Sequence, residues 1–257
     1  MTYNGIFDTH AHYDDSRFND SRDETLKRQK QNGVDYIINC GSDIDSSLAS
    51  IGLAQSYDFV YAAVGVHPHE AADVPGNWLD EIEGLAKQPK VVAIGEIGLD
   101  YYYPEPGRDI QKAVFRRQLE LANKLNVPVQ IHDRDAHGDI YDLVYELRPK
   151  GCLHRYSSSP EMAAQYVKLG MYLGIGGALT YNNAKKERAV VEQIPLEHLI
   201  LETDCPYLAP QQFRGKTSTS DMLWAVAEMI AVIKGSVTAQ DVIDVTTKNA
   251  KTLFNID

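Results

Sequence analysis

Cysteine is scarce in this chain of 257 residues. Only Cys40, Cys152 and Cys205 are present, odd in number and widely spaced. That argues against a disulfide framework and for reduced thiols in a cytoplasmic protein. Long apolar runs are missing too, so no membrane span is expected. The first predicted strand starts within a few residues of Met1, which leaves no room for a signal segment. Basic residues are outnumbered: 25 Lys and Arg face 36 Asp and Glu, for a formal net charge of -11. A broad non-specific grip on nucleic acid depends on many cations displacing counterions, and this chain lacks them. Any polyanionic substrate must therefore be held locally. Linkers, low-complexity tracts and charge blocks are also absent, so residues 1–257 are expected to form a single domain, acting as a monomer.

What the chain does contain is a regular alternation of short apolar runs with longer amphipathic stretches. Strands are expected over residues 5–12, 34–41, 60–68, 91–99, 128–133, 151–156, 171–177 and 199–204. Helices are expected between them at 24–31, 44–57, 78–87, 111–125, 140–147, 161–169 and 184–193, with a closing pair at 221–234 and 239–253. Eight βα units in a chain of this length have the rhythm of an α/β (β/α)₈ TIM barrel, whose chemistry sits at the C-terminal ends of its strands.

The chemistry-bearing residues fall at those ends. In Asp8-Thr9-His10-Ala11-His12 the two histidines are two apart on a strand and so share a face. His67, Glu96, His132, His154 and Asp204 end later strands. Imidazoles and carboxylates arriving at one mouth are a donor set for two divalent cations. The expected division places one ion on His10, His12, Glu96 and Asp204, and a second on Glu96, His132 and His154, with Glu96 as the bridge. Two dications outweigh two carboxylates, which would leave the mouth positive. Such a pair activates water near neutral pH and stabilises both oxygens of an in-line displacement at phosphorus, with Asp204 as the residue that orients the water and takes its proton.

Further residues divide between substrate contact and plain structure. His67 is read as a phosphate contact rather than a core histidine, and Arg134, two after His132, as a fork onto phosphate or a rim salt bridge. Glu202, two before Asp204, should point inward as a ligand's partner, an extra ligand or a contact on the substrate side. Tyr101, Tyr102 and Tyr103 stand where bases could stack, although packing is the expectation for at least two of them. His69, His137 and His198 lack inward strand positions and are read as structural or exposed.

Taken in order, several motifs resemble those of the TatD family of metal-dependent hydrolases and deoxyribonucleases, among the amidohydrolase-like barrels. They are Asp8-Thr9-His10-Ala11-His12, Gly65-Val66-His67-Pro68, Gly95-Glu96-Ile97-Gly98-Leu99-Asp100, Ile131-His132-Asp133-Arg134, Gly174-Ile175-Gly176-Gly177 and Glu202-Thr203-Asp204-Cys205-Pro206. The resemblance implies metal binding by His10, His12, Glu96, His132, His154 and Asp204. It also implies Mg²⁺, Mn²⁺ or Zn²⁺ as cofactors and hydrolysis of DNA, often from a 3′ end, with short single strands or frayed ends preferred here because the chain is acidic. Amide or ester hydrolysis, such as removal of aminoacyl groups from tRNA, is the competing reading; Glu96 stands where many such enzymes carry a modified lysine. Two segments depart from the family pattern. Arg155-Tyr156-Ser157-Ser158 follows His154, and Thr217-Ser218-Thr219-Ser220 replaces an acidic segment, both at the expected rim. Arg155 is expected either to add positive charge beside the site or, by strand alternation, to point outward onto a helix.

Overall fold

Consecutive apolar positions in the strands are explained by burial on both faces. Ile38 packs with Phe7, Ala63, Ala93, Cys152 and Ile200 in one cluster, while its neighbour Ile37 packs with Ile6, Ile94, Leu153, Leu199 and Leu201 in another. The first cluster is the lumen of a barrel and the second lies between the strands and their helices. Both faces are dry, so alternation with polar residues disappears.

The computed structural model describes residues 3–257. Its strands are β1 (Ile6–Ala11), β2 (Val34–Cys40), β3 (Val60–Val64), β4 (Val91–Asp100), β5 (Val129–Arg134), β6 (Gly151–Leu153), β7 (Tyr172–Ile175) and β8 (Leu199–Leu201). They form one parallel sheet in sequence order. β8 returns to β1 through Asp204 N–H donating to the His10 carbonyl (2.9 Å) and His12 N–H donating to that of Cys205 (2.8 Å), and so closes the expected (β/α)₈ barrel. Helices α1 (Arg22–Gln31), α2 (Ile44–Ser56), α3 (Trp78–Ala86), α4 (Arg108–Leu125), α5 (His137–Leu147), α6 (Pro160–Lys168), α7 (Lys185–Gln193), α8 (Leu223–Lys234) and α9 (Ala239–Phe254) surround it. No single described helix is long and apolar enough to cross a membrane. Ala250, Phe254 and Ile256 pack against Phe7 and so plug the N-terminal end of the lumen.

Three strands are shorter than their apolar runs. β3, β6 and β8 end at Val64, Leu153 and Leu201, so His67, His154, Glu202 and Asp204 sit on loops just past the sheet. The segment 217–220 also differs from expectation. Ser218, Thr219 and Ser220 are buried and do not line the rim. Ser220 Oγ donates to Asp8 Oδ2 (2.6 Å), and its backbone N–H donates to the Tyr13 hydroxyl (3.0 Å). Asp8, fully buried on the outer face of β1, also accepts from Thr203 N–H (2.9 Å) and Thr203 Oγ1 (2.6 Å). Burial still pushes its carboxyl up to about 6 against these donors. The cluster fastens β1 to the chain after β8 and to the approach to α8.

Removing one donor from a buried carboxylate costs more than a surface substitution. Ser220→Ala is expected to lower the unfolding free energy by about 2 kcal/mol, seen as a shift of the urea midpoint. A loss below about 0.5 kcal/mol, the size of an ordinary surface change, would refute the role given to this contact.

Candidate metal centre

Two β-bulges aim the first donors. Asp8 pairs with Ile37 and Ala11 with Asn39, so three steps along β1 match two along β2. Counting from Phe7 in the lumen, simple alternation would turn Thr9 and Ala11 inward; the extra residue puts Asp8 and Ala11 outside and His10 and His12 inside. β4 uses the same device, since Ile94 pairs with Val129 and Ile97 with Ile131. Ala93 lies in the lumen and Ile97 in the outer core, and Glu96 between them is turned into the mouth. His132 comes from β5 itself. Asp204 and Arg155 follow their strands in left-handed backbone conformations, with φ of 60° and 44°. Such conformations are uncommon for residues bearing a Cβ and concentrate at functional sites.

The donors converge on Glu96. Its Oε2 lies 3.4 Å from His10 Nε2 and 3.7 Å from His12 Nε2, and those two nitrogens are 3.1 Å apart. Its Oε1 lies 2.7 Å from His132 Nδ1, 3.7 Å from His154 Nε2 and 3.8 Å from His67 Nε2. Asp204 Oδ1 adds contacts to His12 Nε2 at 3.4 Å and His154 Nε2 at 3.7 Å. Three overlapping triads could each hold an ion: His10, His12 and Glu96; His10, His154 and Asp204; His67, Glu96 and His132. Lone pairs this close repel unless a proton or a cation lies between them. Separations near 3.4 Å are also the edge lengths of a tetrahedron with bonds of about 2.0–2.1 Å. The donor set therefore fits divalent metal.

Protonation of the metal-free centre points the same way. Burial opposes charge on His12 and His132, yet Asp204 and Glu96 around the first, and Asp100 and Glu96 around the second, lift both to about 9. Burial likewise opposes charge on Glu96, but the surrounding imidazoles hold it well below the usual carboxylate range. Protons here occupy the place of a cation, which would displace them on binding.

Acceptors behind the imidazoles fix their orientation. His12 Nδ1 lies 2.9 Å from the Cys40 carbonyl and His132 Nε2 lies 3.2 Å from Asp100 Oδ2, while the Glu202 carboxylate lies 3.1 Å from His154 Nδ1 without hydrogen-bond geometry. The far nitrogens of His12 and His132 then present their lone pairs to the centre. Glu202 also accepts the backbone N–H of Arg155. It sits over Gly174, where a Cβ would come within 2.2 Å of its Oε2.

The residues expected at the substrate take different positions. Glu202 is 1% exposed and supports His154, so it cannot reach substrate. The Tyr101 ring lies under Arg108 at 4.3 Å and its hydroxyl donates to Asp139 (2.5 Å), so Tyr101 is one of the three that packs. Arg134 makes no rim salt bridge among the described residues; its guanidinium lies 3.8 Å over the Tyr102 ring. His67 stands within the ligand cluster instead of at its edge. Arg155 turns into the mouth, and its Nη1 donates to Asp204 Oδ2 at 3.0 Å. Asp100 and His69 were missed as site residues. Asp100 is buried, yet His132, the Tyr102 amide and His69 hold its carboxyl at about 2. His69 Nε2 reaches its Oδ2 at 3.1 Å. His137, by contrast, at the start of α5, pairs with Asp133 at the end of β5 (2.8 Å), in keeping with a structural role.

Gly174→Ala forces Glu202 aside and leaves His154 unsupported. Metal affinity measured by titration calorimetry is expected to fall about 10- to 100-fold. Unchanged affinity would mean that Glu202 does not orient the ligand.

Comparison with known proteins identifies the family. The sequence profile of the TatD related DNase family matches residues 7–255. The chain is 40% identical over 255 residues to the uncharacterized metal-dependent hydrolase YabD of Bacillus subtilis, covering 98% of this chain and all of that one. It is 32% identical to the 3′-5′ ssDNA/RNA exonuclease TatD of Salmonella typhimurium, covering 98% and 99% of the two chains. The crystal structure of the TatD homologue YJJV from Escherichia coli superposes with a TM-score of 0.93 at 30% identity, covering 98% of this chain and 99% of the other. The chain belongs to the TatD related DNase family and is one of its metal-dependent hydrolases.

Proposed function

We propose that the chain, acting as one catalytic domain, is a two-metal phosphodiesterase that removes nucleotides from 3′ ends of short single strands or frayed DNA. Glu96 is the observation that carries this reading. Both of its oxygens are ringed by imidazoles on opposite sides, as a ligand shared by two ions requires. His10, His12 and Asp204 would join Glu96 Oε2 at one ion, and His132 and His154 would join Oε1 at the other, with His67 near enough to substitute. Imidazole-rich sites suit Zn²⁺ or Mn²⁺ better than Mg²⁺, which prefers oxygen donors. Bound metal supplies polarisation of a phosphoryl oxygen and a lowered pKa for water.

The chain's own residues do the rest. Asp204 presents Oδ1 to the centre, where it can orient water and receive a proton, while Arg155 holds Oδ2. Glu96, Asp100, Glu202 and Asp204 are four carboxylates, all buried. They would balance two dications, so a net positive mouth would depend on Arg155. Attraction for substrate phosphate then rests on the arginines at the rim. A guanidinium on Asp204 is placed to exchange that carboxylate for a phosphate oxygen. The net charge of -11 limits the reach of this attraction to a few nucleotides. The exonuclease name borne by the Salmonella relative supports the same substrate class.

Metal-reconstituted protein should shorten a 5′-labelled single strand from its 3′ end, and chelation or Asp204→Asn should abolish the product. A full-rate Asp204→Asn enzyme would sink the mechanism. Elemental analysis of Glu96→Ala should show loss of more than one ion per chain, and full retention would disprove the bridge. Arg155→Ala should flatten the salt dependence of kcat/KM; an unchanged slope would remove Arg155 from the phosphate.

A further inference from the structure

Past β4 the chain exposes two adjacent aromatic rings beside the metal centre. Tyr102 is 57% and Tyr103 48% exposed. Their rings meet edge to face, 4.9 Å apart at 88°, so they form a corner instead of covering each other. Arg134 lies over one face of Tyr102, and Tyr103 meets the His69 ring at 5.2 Å. Contacts run inward without a gap: Tyr102 N–H donates to Asp100 Oδ1 (3.0 Å), and Asp100 Oδ2 touches both His69 and His132. The residue before the corner is anchored on both its amide and its hydroxyl. Tyr101 N–H donates to the Arg134 carbonyl (2.8 Å), and its hydroxyl is tied to α5 through Asp139.

We propose that Tyr102 and Tyr103 are a nucleobase platform, on which an unpaired base next to the scissile phosphate stacks while Arg134 pairs with the adjoining backbone. The proposal rests on the phosphodiesterase reading above and names its specificity element. A π-face accepts any base, and a guanidinium beside it adds attraction for phosphate. Bases inside a duplex already stack on one another and cannot reach the corner, so the platform selects unpaired ends. The same pairing of arginine over tyrosine occurs where α5 ends, with Arg148 4.2 Å over Tyr145. That pair lies at the opposite end of the barrel, away from the metal donors, and serves as an internal control.

The test uses single-stranded deoxytrinucleotides, intact or with a base-less tetrahydrofuran residue at the 3′ terminal or the penultimate position. Binding is followed by anisotropy in chelator, and cleavage with metal restored. For the wild type and Tyr145→Leu, losing the base at one of these positions should weaken binding and raise KM by about 5- to 150-fold, with kcat changing less. The double variant Tyr102→Leu/Tyr103→Leu should bind intact and base-less strands equally, and Tyr102→Phe should keep the preference. Wild-type protein that ignores the missing base, or a double variant that still senses it, overturns the platform. Cleavage without base preference would leave the phosphodiesterase reading standing alone. Base-dependent binding without cleavage would leave the platform standing and refute the reading.

Discussion

A buried carboxylate surrounded by imidazoles is the constraint on which the rest of this structure turns. Removing the charge of Glu96 from water costs several kcal/mol even after the surroundings relax. The fold places it on a strand inside a barrel, where burial is nearly complete. Only positive charge on both sides makes that position stable, as protons on His12 and His132 or as metal. The bulges in β1 and β4 then read as the means of aiming donors at one point. The acceptors behind His12 and His132 stop those rings from turning away, and the Glu202 carboxylate lies beside His154.

Support extends well beyond the donors. Asp8 faces away from the mouth, yet it binds Thr203, the residue before Asp204, and lies two residues before His10. Through Ser220 it also engages the chain leading into α8. The segment that departs from the family pattern at 217–220 is therefore part of the framework, and its serine compensates a buried charge. The other departure, at Arg155, does alter the mouth, because its guanidinium engages Asp204. One departure changes how the site is held and the other changes what the site presents to substrate.

Much of this was legible in the chain. Apolar runs separated by amphipathic stretches gave the count of eight strands, because both-face burial and helix periodicity are properties of neighbouring residues. The six metal-binding candidates stood out because histidine and acid at the ends of apolar runs are hard to explain otherwise. Strand alternation predicted that His10 and His12 share a face, and they do. It could not predict which face, since a bulge reverses the count. It also lapsed where strands stopped early: Arg155 was left free to turn inward by a left-handed residue that no local pattern announces.

The sequence by itself determined the barrel, the mouth at its C-terminal end and the candidate donors gathered there, because these follow from periodicities and residue types within each βα unit. Tertiary structure alone decided that His67 stands among the candidate donors, that Asp100 and Glu202 stand behind His132 and His154, and that Tyr101 packs while Tyr102 and Tyr103 face solvent. Each of those outcomes depends on pairs such as Asp100 with His69 or Glu202 with Gly174, whose members lie 28 or more residues apart. Contacts at that separation are set by how the barrel closes, and nothing local to either residue records them.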